Sequence, residues 1–107
     1  MDLREKFDAA MTNVMRCREA LMEATEAEIE AREGLKSSEM VLLAREGAIT
    51  GKNAETRAAQ LREMTAMERE ALAKAEKAKR LAVYRLELAL DARRNLESIL
   101  KIEELER

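Results

Sequence analysis

Gly47-Ala48-Ile49-Thr50-Gly51-Lys52-Asn53 is the one stretch of this 107-residue chain where two closely spaced glycines and a strong capping residue interrupt an otherwise unbroken helical pattern. Gly47 stands where a left-handed residue would close a helix, because it lacks the Cβ that makes that conformation costly. Asn53 suits the N-cap of a following helix, and Glu55 puts negative charge into its first turn. Ile49 sits between them as a hydrophobic anchor. The stretch therefore predicts a reversal between two long helices.

Working back from the turn, Leu3, Phe7, Ala10, Val14, Cys17, Leu21, Ala24, Glu28, Ala31, Leu35, Ser38 and Leu42 recur in alternating steps of four and three, a heptad seam. Met11, Met15, Met22 and Ile29 flank the seam and widen the apolar face beyond a two-stranded stripe. Methionine at this spacing reads first as core filling and second as a plastic binding surface. Gly34, at about 1 kcal/mol relative to Ala, weakens the later part of the arm.

Working forward, the second arm contains no Gly or Pro. Its seam reads Leu61, Met64 or Thr65, Glu68, Leu72, Ala75, Ala78 or Lys79, Ala82, Leu86, Ala89, Ala92 or Arg93, Leu96 and Leu100. The paired choices reflect the drift of a 3.6-residue helix against a strict heptad. Folding the arms back about residue 50 sets the acidic run Glu23 to Glu30 beside Lys74, Lys77, Lys79 and Arg80, a complementary pairing that favours this register. It also brings Leu81, Tyr84 and Leu88 beside Met11, Val14 and Met15. Apolar residues are distributed there around most of the second helix, more than one facing helix can cover.

The expected fold is all-α: a long antiparallel two-helix hairpin, coiled-coil-like, assembling into a helical bundle, with a dimer favoured. It forms one domain over 1–107, with a helix over about 2–46, a turn over 47–53 and a helix over about 54–107. The candidate oligomer interface is Met11, Val14, Met15, Leu81, Tyr84 and Leu88.

Composition narrows the function classes. The chain is 39% charged, 47% hydrophobic and 2% aromatic, without Pro, Trp or His, and is dominated by good helix formers. Twenty basic and 22 acidic residues leave a net charge of -2, so no overall positive field favours nucleic acid, and weak nucleic-acid binding ranks last among the readings. Without His there are no Glu-x-x-His di-iron pairs, no His-dependent triads and no usual zinc set, so neither catalytic residues, nor a metal, nor a cofactor is expected. Cys17, the only cysteine, reads as a small seam residue. No apolar run approaches the roughly 20 residues that cross a bilayer, and no leader-like segment opens the chain, so a cytoplasmic protein without membrane contact is expected.

The glycine stretch also invites comparison with a phosphate loop. It is a residue short between the glycines, has Asn53 where Ser or Thr would meet magnesium, and follows a helix rather than a strand. A weaker alternative is an anion or nucleotide held by Lys52, Arg57 and free N–H groups at the second helix start. The segment from Ile49 to Leu61, with Gly51-Lys52-Asn53 followed by Arg57, resembles the turn of small phage and prophage helical-hairpin proteins. That resemblance implies a phage or mobile-element accessory protein, or an inhibitor of a host protein. The expected function is thus a non-enzymatic, homo-oligomeric interaction protein.

Overall fold

In a computed structural model that describes residues 1–107, the chain is all-helical: α1 spans Leu3–Ala44, α2 Ala54–Met64 and α3 Ala66–Glu106. Helices α1 and α3 pack against each other as the long arms of a hairpin. Asp2 begins α1 by accepting the Glu5 N–H on Oδ1 at 2.8 Å. The helix continues through Gly34 without a break, and a Cβ added there would meet nothing within 4 Å.

Both glycines of the turn have conformational reasons. Gly47 is left-handed, with φ 79°, just after α1 ends. Gly51 is required by close approach instead, since a Cβ there would lie 2.7 Å from the Arg57 backbone nitrogen. Asn53 caps α2 as expected, its Oδ1 accepting from the Thr56 N–H at 2.8 Å and the Thr56 hydroxyl at 2.9 Å.

The single second helix expected over about 54–107 is instead two helices joined at Thr65, whose φ and ψ are -110° and 21°. Its hydroxyl donates to the Leu61 carbonyl at 2.8 Å. A threonine that bonds back to the carbonyl four residues earlier competes with the backbone ladder and bends a helix. The interruption does not shift the heptad phase. Leu61, Thr65, Glu68 and Leu72 are all buried or half-buried, and of each paired choice the inward residue is Thr65, Lys79 or Arg93, while Met64, Ala78 and Ala92 are exposed. The seam is a strict heptad, as in a coiled coil. Every seam position expected of the first arm, from Leu3 and Phe7 to Ser38 and Leu42, is likewise buried or half-buried.

The chain divides into two compact units. A turn unit comprises Thr25–Ala78, and a terminal unit joins Met1–Ala24 with Lys79–Arg107. In the turn unit the cross-arm pairs are Ser38 with Glu68, Glu39 with Arg69 and Arg32 with Glu76. In the terminal unit Met11 meets Arg93. In each unit the pairing is centred on about residue 53, not residue 50.

The register differs because the turn is not a simple cap across two level helix ends. Gln60, two turns into α2, accepts the Thr50 and Gly51 N–H groups at 2.9 and 3.1 Å and donates to the Ala48 carbonyl at 3.4 Å and the Thr50 hydroxyl at 3.2 Å. Residues 48–51 therefore run alongside the start of α2, which extends past the end of α1. Cross-arm ion pairs in the turn unit are Arg32–Glu76 at 3.7 Å and Arg69–Glu39 at 3.2 Å, while Lys74 pairs within its own helix with Glu70.

Candidate functional site

A heptad seam between two helices has little interior. Val14, Ala82 and Ala89 are the buried hydrophobic residues, with Thr65 the buried polar one. Large apolar side chains remain outside, among them Met15, Met22, Tyr84 and Leu88, each more than half exposed.

Five of the six candidate interface residues, Met11, Met15, Leu81, Tyr84 and Leu88, are exposed in the terminal unit. Val14 is not: at 1% exposure it is enclosed by its own hairpin and has no surface to offer a second molecule. The cause is its place in the strict 4-3 seam, where apolar residues turn inward.

The five exposed residues do not make one patch. Asn13, Cys17, Arg85, Leu88, Ala89 and Ala92 line an open groove of about 300 Å³ along one side of the unit. Residues two apart in a helix point about 200° from each other, so Met11 and Met15 leave α1 opposite Asn13. On that other side Met11 Sδ lies 4.0 Å from Arg93 Nη1. Leu81, seven residues before Leu88, shares its face, with Tyr84 between them. The terminal unit thus has a methionine side and a groove side.

The groove side is built from unequal helices. α3 contributes Leu81, Tyr84 and Leu88; α1 contributes Ala9, Asn13 and Ala20, which share one helical face, with Arg16 at its outer edge. On the methionine side, by contrast, α1 presents Met11, Met15 and Met22, all large. Cys17 is half-buried at the groove wall, its thiol 3.9 Å from Asn13 Oδ1, in keeping with its reading as a small seam residue.

Arg93 is an unusual seam residue. Its Nε is buried without a hydrogen-bond partner, although Glu97 Oε1 lies 3.8 Å away, beyond hydrogen-bond range. Its aliphatic stem fills the seam while the guanidinium reaches the methionine side, as long cationic side chains do.

At the turn, the candidate anion residues Lys52 and Arg57 are exposed. The donors an anion would use are partly engaged: Thr50 and Gly51 N–H groups donate to Gln60, the Thr56 N–H to Asn53, and Arg57 Nη1 points to the Gly51 carbonyl at 3.5 Å. No group of three or more His, Cys, Asp or Glu side chains is placed to hold a metal ion. No helix is long and apolar enough to cross a membrane.

Two structural elements escape the seam pattern. Gln60 organises the turn, and Arg69 bridges Thr65 Oγ1 at 3.1 Å and Glu39 at 3.2 Å. Gln60 gives no local signal because its partners lie nine or more residues back. Arg69 and Glu39 do follow their seam neighbours Glu68 and Ser38 by one position, which is the flank where antiparallel helices exchange charges.

Comparison with known proteins finds no matching family model, no matching curated protein and no matching solved structure.

Proposed function

We propose that this is a non-enzymatic, homo-oligomeric helical-hairpin protein that acts through protein contacts, most simply as a dimeric helical bundle. The observation that carries the proposal is surface. The chain exposes 8373 Å² at 12.2 kDa, whereas a compact monomer of that mass exposes about 6,100 Å². Large apolar side chains are exposed in both units, and those of the terminal unit include Met15, Tyr84 and Leu88, which a second molecule would remove from water at about 25 cal/mol per Å².

The reading places the protein in the cytoplasm as an accessory factor, of the phage or mobile-element kind that its Gly51-Lys52-Asn53 turn resembles, with a host protein as a further partner. Sedimentation velocity at micromolar concentration tests its central assumption. A stable dimer or higher oligomer is the expected result, and a fully helical monomer would overturn it.

A further inference from the structure

We propose that the groove side of the terminal unit is the homodimer interface, in which Tyr84 and Leu88 of α3 lie on the small-residue face of the partner subunit's α1. The two copies are related by a twofold axis parallel to the helices. This rests on the homo-oligomeric reading and adds to it the face, the helix pairing and the register.

Size complementarity selects the side. In the groove, large residues on α3 stand next to small ones on α1, so rotating one copy onto another sets Leu88 of each over Asn13 and Ala20 of the other. Small residues at a helix contact let the axes approach closely, and large residues opposite them fill the gap. The methionine side has no small-residue counterpart on α1, so a second copy meets only large side chains there.

Area selects the occupant. Two free chains expose 8373 Å² each, and a compact protein of twice the mass exposes about 10,000 Å². The difference is an upper limit on what pairing can bury, and it exceeds the several thousand Å² that obligate homodimers bury. A short peptide in the groove would leave most of that surface in water.

Charge selects the register. If α3 of one copy meets α1 of the other with the same centre near residue 53 that operates within each unit, Arg16 comes level with Asp91 of the partner subunit, and Glu23 with the hydroxyl of the partner subunit's Tyr84. Arg16 and Glu23 are exposed, and no ion pair within the chain engages them. Asp91 has a loose contact with Arg94 at 3.6 Å, both side chains being largely exposed.

The experiment uses the full chain and measures dimer dissociation by analytical ultracentrifugation, with helicity followed by circular dichroism. Leu88→Glu is expected to raise the dissociation constant about a hundredfold or more, while Met15→Glu changes it by no more than about threefold. Arg16→Asp and Asp91→Arg each place like charges together at both symmetry-related contacts and should weaken the dimer about tenfold. Mixed in equal amounts they form heterodimers in which both contacts are complementary, one in the original sense and one reversed, and affinity returns to within about threefold of the original chain.

Because both charge substitutions are at exposed positions, the mixing result does not depend on a core change. Dissociation by Met15→Glu with Leu88→Glu still dimeric would overturn the choice of side while leaving the homo-oligomer intact. A mixture no tighter than its parents would overturn the helix pairing. An original chain that is monomeric would overturn both readings.

Discussion

The turn unit and the terminal unit use the same seam but hold it differently. In the turn unit, directional bonds fix the arms: Arg69 ties Thr65 to Glu39, Arg32 bridges Glu28 at 2.8 Å and Glu76 at 3.7 Å, and Gln60 pins the turn. The terminal unit has Val14, Ala82 and Ala89 buried between its helices and much of its remaining apolar surface outside. Directional bonds define register at little net energy, whereas apolar burial supplies energy with little directional preference. The turn unit is therefore fixed in register by polar bonds, whereas the terminal unit is held together by apolar burial.

The sharpest way to break this contrast is Val14→Asp. An unpaired charge at a position 1% exposed should destabilise the chain by about 3–5 kcal/mol. Hydrogen exchange read by mass spectrometry should lose protection first in 1–24 and 79–107, and last in 25–78. Equal loss in both units would mean that they are energetically indistinct.

A smaller effect is expected in the turn unit. Arg69→Leu removes the bridge between Thr65 and Glu39; with both charged side chains about a third exposed, the loss should be about 1 kcal/mol by urea denaturation. The original chain should lose part of that difference at high salt, because the ion pair is screened. Gly34→Ala should act in the opposite direction. Its Cβ meets nothing within 4 Å, so the thermal midpoint should rise by the equivalent of about 0.5–1 kcal/mol.

How much of this was readable from residues alone depends on range. The first seam was fully legible because 4-3 spacing between Leu3 and Leu42 is a local property. The second arm left three paired choices, all resolved toward the longer or polar member, Thr65, Lys79 or Arg93, since hydrophobicity alone does not fix heptad phase. The register was displaced because it depends on Gln60 meeting Ala48 to Gly51, a contact no pattern encodes. The expected interface residues fall on two sides and include Val14 for a related reason: counting apolar residues around a helix shows that some are uncovered, but only their offset from the seam shows which way they point. Met15 follows Val14 by one position and Leu88 precedes Ala89 by one, and that opposite offset was already present in the spacing.

The Gln60 clasp also bears on how the chain tolerates alteration. Surface turns between helices usually accept inserted residues, tags or a change of chain order, because their backbone answers only to water. Here one amide side chain measures the loop from Ala48 to Gly51, so its length is set by a gauge. A reporter peptide spliced between those residues would free the Gln60 side chain as well as lengthen the loop, and would alter the start of α2.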